Sequence, residues 1–160
     1  MKRAVCLLLM VLGLAGCCKS AAQAPPTYAL PLSGTVQIST ALLDMSAQWT
    51  YTADGMVFTL TAPQTLRGIT VTCGAEKTVT AQDLTVPMAQ TACFDDLQEA
   101  WRVFLDAQAE SVETPEGWRT DYTLTDGFSV LQSADGSVLR FLLAEPKTQA
   151  VFAVESAQIP

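Results

Sequence analysis

Five cysteines are the side chains best suited to covalent chemistry in this 160-residue chain: Cys6, Cys17, Cys18, Cys73 and Cys93. Cys17 follows Leu14-Ala15-Gly16, at the end of an apolar run that opens on Lys2-Arg3 and stops before Lys19. A basic start, an apolar core and small residues ahead of a cut are what a secretory signal requires. Cys73 and Cys93 have nineteen residues between them, and a bridge closing that loop would stabilise the fold by about 3 kcal/mol. The competing expectation is two buried free thiols acting as small apolar side chains. Spacing alone does not decide whether the Cα atoms come within about 7 Å. Cys18 has no evident role.

Histidine is absent, which excludes a Ser-His-Asp triad, a Cys-His dyad, the HExxH zinc motif and nearly every ordinary catalytic zinc site. A serine beside Lys77 or Lys147, a carboxylate pair or an all-oxygen calcium site would be the remaining routes, and none has a convincing spacing. Asp54, Asp126 and Asp135 each precede glycine. Isolated Asp-Gly pairs are turn signals, whereas a calcium loop needs several oxygen ligands close together. The expectation is a protein that is not an enzyme and has no cofactor and no metal site.

The segment Leu14-Ala15-Gly16-Cys17 resembles a bacterial lipobox, in which the cysteine is the residue that becomes lipidated. Fifteen residues between Arg3 and Lys19 would make a helix of about 22 Å, too short for a hydrocarbon core of about 30 Å. Cleavage without lipidation is the closest alternative. Cutting residues 1–16 from the 160 leaves 144, a length that suits one domain. Lys2 and Arg3 leave with that segment, so seven basic and sixteen acidic side chains remain and the formal charge moves from −7 to −9. Such an acidic chain, with its basic residues scattered singly, offers neither a nucleic-acid footprint nor a polybasic membrane patch. The expected partner is the membrane, through lipid on Cys17 at the extracytoplasmic face of the cell, whether cell surface or periplasm.

Residues 17–34 carry three prolines and no periodicity and read as the lipidated N-terminus and a tether. The domain is expected over 35–160. Val36–Leu42 reads as a first strand, with a helical end as an alternative. Ala47–Ala53 alternates, Asp54-Gly55 signals a two-residue hairpin turn, and Met56–Thr61 returns. Trp49, Tyr51, Met56, Phe58 and Leu60 should therefore share a face. Ile69–Cys73, Thr78–Ala81 and Leu84–Val86 are further strands. The clear helix is expected at Ala92–Glu110, where Phe94, Leu97, Trp101, Phe104 and Leu105 recur at helical spacing behind Asp95, Asp96 and Glu99. Strands then resume over Trp118–Leu124, Phe128–Gln132, Val138–Leu143 and Val151–Glu155 as a meander. A helix between two runs of antiparallel strands indicates an α+β domain with the helix packed on one face.

This order of parts, with Trp49-Thr50-Tyr51-x-x-Asp54-Gly55, the Pro63-x-x-Leu66-x-Gly68 loop and Asp126-Gly127 through Arg140-Phe141, resembles small bacterial lipoproteins of the LolA-like half-barrel superfamily. The resemblance implies a curved antiparallel sheet with one main helix on its concave face. It also implies an apolar cavity there for an acyl chain or lipid headgroup, so the expected ligand is a lipid or another hydrophobic small molecule. Trp49, Tyr51, Phe58, Trp101, Trp118 and Tyr122 are the residues expected around such a cavity. The alternative is that they fill the core, since a sheet needs one apolar face whether or not it binds anything. That alternative describes a structural or protein-interaction lipoprotein of the cell envelope without a ligand.

Overall fold

A computed structural model describes residues 24–91, 93–107, 109–122, 127–144 and 147–156. Cys17, Cys18 and Asp126 lie outside the described residues. The strands are β1 (Leu32–Thr40), β2 (Asp44–Thr52), β3 (Gly55–Ala62), β4 (Thr70–Gly74), β5 (Thr78–Ala81), β6 (Leu84–Pro87), β7 (Ser111–Thr114), β8 (Gly117–Tyr122), β9 (Phe128–Gln132), β10 (Val138–Leu143) and β11 (Thr148–Ser156). One helix, α1 (Cys93–Asp106), separates β6 from β7. All eleven strands form one antiparallel sheet in the order β6-β5-β4-β3-β2-β1-β11-β10-β9-β8-β7. The domain is α+β.

Two meanders build this sheet. The first walks outward from β1 to the edge strand β6, and the second walks inward from the other edge, β7, to β11. β1 and β11 then pair in the middle, with Val36 opposite Phe152 and Ile38 opposite Ala150. Because α1 joins the two edges, it must cross the face of the sheet, and its stripe supplies the reason to do so. Phe94, Leu97, Ala100, Trp101 and Val103 are buried against the strands. Asp95 and Asp96 occupy its first turn, where the helix dipole favours negative charge.

Period-two alternation sets which side chains meet the helix. Trp49 lies opposite Phe58, Tyr51 opposite Met56 and Ala47 opposite Leu60, and all six are buried, as the alternation predicts. Gly55 closes the β2–β3 turn at φ +129°, a conformation that favours glycine. The helix ends at Asp106, short of Glu110, and Ser111–Thr114 is a strand that pairs with β8.

The boundary of the expected tether is corrected. β1 starts at Leu32, not Val36, and the residues before it pack on the domain. Tyr28 Oη donates to the Gly136 carbonyl at 2.8 Å and accepts from Gln132 Nε2 at 3.2 Å. Gln132 Nε2 also donates to the Pro26 carbonyl at 2.6 Å. The Tyr28 ring meets Trp101 and Phe104, with centroids 6.2 and 5.8 Å away. A tyrosine with these apolar and polar partners exchanges a solvated chain for a docked one. Residues 25–28 thus form a strap fixed at the β9–β10 turn, where Gly136 has φ +73° and a Cβ would come within 2.9 Å of Pro26.

Candidate functional site

Four of the six aromatics expected around a cavity are packed into the core instead. Trp101 is fully buried at the centre, with ring centroids 5.2 Å from Trp49, 5.0 Å from Phe141, 5.3 Å from Phe152 and 6.4 Å from Tyr51. Phe58 packs on Phe94 at 4.9 Å. Trp49 Nε1 donates to the Thr35 carbonyl at 3.2 Å, whereas Trp101 Nε1 is buried with no partner among the described residues. Trp49, Phe58 and Trp101 are almost wholly inaccessible, and these ring contacts pack the helix on the sheet around Trp101. Trp118 is also buried, on the face it shares with Gln132, but outside the main apolar cluster.

The open space lies further along the sheet. A cleft of about 870 Å³ opens where β1 ends, β8 ends, β9 begins, β10 ends and β11 begins. Tyr122, Phe128 and Leu143 bring core-face side chains to it, and Ser129, Lys147 and Thr148 stand beside them in the wall. Tyr122 and Phe128 stack with centroids 4.5 Å apart and an interplanar angle of 10°. Phe128 continues the stack onto Phe141 at 6.4 Å, so aromatic surface runs unbroken from the cleft to Trp101. Thr148 is 2 % exposed, and its hydroxyl has no partner among the described residues. Such a buried hydroxyl is costly unless something accepts or donates to it. Of the described lining residues, Lys147 is the one cation and Asp121 the one acid, and Asp121 is already held by Arg119 Nε at 3.0 Å.

Tyr122 also borders a second cavity of about 330 Å³ between the strap, the end of α1 and β8, together with Tyr28, Phe104 and Gln132. Burial pushes the Tyr28 phenol up to about 12, and burial raises Tyr51 and Tyr122 as well. These phenols are neutral partners at neutral pH.

At the start of α1, Cys73 and Cys93 are free, buried thiols. The bridge weighed from their spacing is not formed in this structure. Cys73 Sγ instead donates to Thr91 Oγ1 at 3.1 Å, and Thr91 Oγ1 donates to Asp95 Oδ1 at 2.6 Å. The Thr91 backbone N–H reaches Asp95 Oδ2 at 2.8 Å, and Lys77 Nζ lies 3.0 Å from the same oxygen. Burial tends to raise Asp95, but the Thr91 bonds and the Lys77 ammonium outweigh it and hold the carboxyl below its usual range. Lys77 is therefore engaged as an ion-pair partner. Burial pushes both thiols up to about 11, and a thiol so far from ionising is a poor nucleophile at neutral pH. Among the described residues no group of three or more Cys, Asp or Glu is arranged to hold a metal ion, and no helix is long and apolar enough to cross a membrane.

Of the residues that carry this geometry, Tyr122 was expected around a cavity and Lys147 was weighed only as the partner of a serine, whereas Tyr28, Phe128, Leu143 and Thr148 were not expected there: residue type alone does not show which side chains the fold brings to one end of the sheet. No protein-family model matches the chain, and no curated protein sequence matches it either.

Proposed function

We propose that this protein is a lipid-anchored, extracytoplasmic binding protein without catalytic activity, held to its membrane by acyl chains on Cys17, that takes one lipid or other apolar ligand in the cleft at the end of β8–β11. In this reading the sheet is a half-barrel and α1 lies on its concave face. The burial of the α1 stripe against both meanders supports that shape. The observation that carries the binding reading is the cleft itself. Its volume of about 870 Å³ falls in the range of small-molecule sites, which join an apolar wall to a few polar groups. Tyr122, Phe128 and Leu143 supply the wall, and the exposed Lys147 supplies a cation. The filled layer around Trp101 favours a second reading, an interaction lipoprotein of the cell envelope that binds no small ligand.

Native mass spectrometry of the protein purified from its own host distinguishes the two. The binding reading expects a lipid-sized adduct and saturable one-to-one binding of anilinonaphthalene sulfonate, both lost in Ala144→Trp, which puts an indole into the cleft from an exposed position. A protein free of adducts that also fails to bind the dye supports the second reading and ends the first.

A further inference from the structure

The strap fixes the direction in which a membrane anchor leaves the domain. Pro26 and Tyr28 are held at the β9–β10 turn, Pro26 lying against Gly136 and Tyr28 bonded to it. That turn shares one end of the sheet with Leu32 at the start of β1, with the β2–β3 turn and with the β7–β8 turn, as the register requires: Leu32 faces Tyr51, Val138 faces Ala153 and Trp118 faces Gln132. The cleft lies at the other end, beside Ser39, Thr40, Leu143 and Thr148. β1 runs from one end to the other, and its nine residues span about 27 Å.

We infer that the anchored protein stands with its strap end toward the bilayer and its cleft end away from it, so that the cleft opens to the aqueous side and receives its ligand from there. The inference rests on lipidation at Cys17, as proposed above. Nine peptide links join Cys17 to Pro26, which limits their separation to about 31 Å at full extension. With the cleft end down, Pro26 would stand the length of β1 plus the β1–β2 loop above the headgroups. That orientation would require a chain stretched almost to its covalent limit, at a large loss of conformational freedom. With the strap end down, almost any chain length suffices. The strap-end turns carry Asp54, Glu76, Glu116 and Asp135, and the nearby Lys77 is paired to Asp95. An acidic end is repelled by anionic headgroups, so the domain stands off on its anchor and does not adsorb.

Energy transfer to a headgroup-labelled acceptor lipid tests this. Full-length lipidated protein with Cys18→Ser carries a donor dye either at Ala134→Cys, on the β9–β10 turn, or at Leu42→Cys, in the loop beside the cleft; both positions are exposed. Cys73 and Cys93 are buried and escape labelling. In phosphatidylglycerol–phosphatidylcholine vesicles, transfer from position 134 should exceed that from position 42 by about twofold or more, given the separation of the two ends. Gly136→Val, which drives Pro26 off the turn, should shrink the difference. Equal or reversed efficiencies overturn the orientation. A protein that does not float with the vesicles and whose N-terminal peptide lacks the diacylglyceryl mass overturns the anchor and the orientation together. A cleft that binds no dye, with transfer still greater from position 134, overturns the ligand reading alone.

Discussion

Trp101 and Trp49 make a pair of substitutions whose outcome separates packing from hydrogen bonding. Trp101 touches six aromatic rings and Trp49 two, so ring contacts alone rank Trp101→Phe as the more damaging change. The polar groups reverse that order. Replacing either indole by phenyl removes roughly 2 kcal/mol of burial and contact energy. At Trp101 the lost Nε1–H has no partner among the described residues, and releasing an unsatisfied buried donor returns about 1–3 kcal/mol. At Trp49 the lost Nε1–H donates to the Thr35 carbonyl at 3.2 Å, so its removal adds about 1 kcal/mol of cost. Trp101→Phe should therefore lie within about 1 kcal/mol of the parent, and Trp49→Phe about 3 kcal/mol below it. Urea unfolding of the unlipidated Cys17→Ala chain, followed by far-ultraviolet circular dichroism, should show midpoints separated by roughly 1 M or more. Equal losses, or a greater loss for Trp101→Phe, would refute the reasoning and show that packing dominates at both sites.

Three further outcomes follow from the same geometry. Gly136→Ala places a methyl group 2.9 Å from Pro26 at φ +73°, and should cost about 1–3 kcal/mol while exposing the Tyr28 ring to a collisional quencher; an unchanged urea midpoint would remove the strap from the folded core. Both described thiols should resist iodoacetamide in the native protein at pH 8 and react fully in urea, since burial raises them to about 11, and rapid native alkylation of either would contradict that burial. Above the range where the carboxylates titrate, stability should be level up to about pH 9 and fall toward pH 12. Each raised thiol and phenol holds its proton more tightly folded than unfolded, so its contribution is complete below the unfolded pKa and disappears as pH rises through the folded one. Tyr28, pushed up to about 12, accounts for part of the loss between pH 10 and 12, and Tyr28→Phe should flatten that limb of a urea-midpoint profile.

What the sequence made legible is what local periodicity controls. Trp49 and Tyr51 alternate with exposed threonines, Asp54-Gly55 turns the chain, and Met56, Phe58 and Leu60 return on the same face. Phe94, Leu97 and Trp101 recur at helical spacing and are buried at that spacing. Less local features stayed hidden. Pro25-Pro26-Thr27-Tyr28 has the composition of a linker, and its contacts with Trp101, Phe104, Gln132 and Gly136, far along the chain, make it part of the domain. Ser111–Thr114 is a short edge strand whose valine is exposed, so register with β8 defines it and alternation does not. The cleft is a place where side chains are missing, and no residue type announces a gap. The spacing of Cys73 and Cys93 held no information on Thr91, which takes the Cys73 hydrogen bond.

The pairing of β1 with β11 bears on the order in which the molecule assembles. Each meander can grow by adjacent hairpins, the fast and local kind of β-structure. The seam where Val36 meets Phe152 must instead close a loop containing nearly every other strand, at an entropic cost that earlier hairpins do not repay. Until it closes, β1 and β11 are both bare edges, and bare edges recruit other chains. Folding should therefore be slow for a domain of this size and aggregation-prone in its late stage. A chain stopped before Thr148 would retain most of its hairpins and still lack the strand that turns two sheets into one.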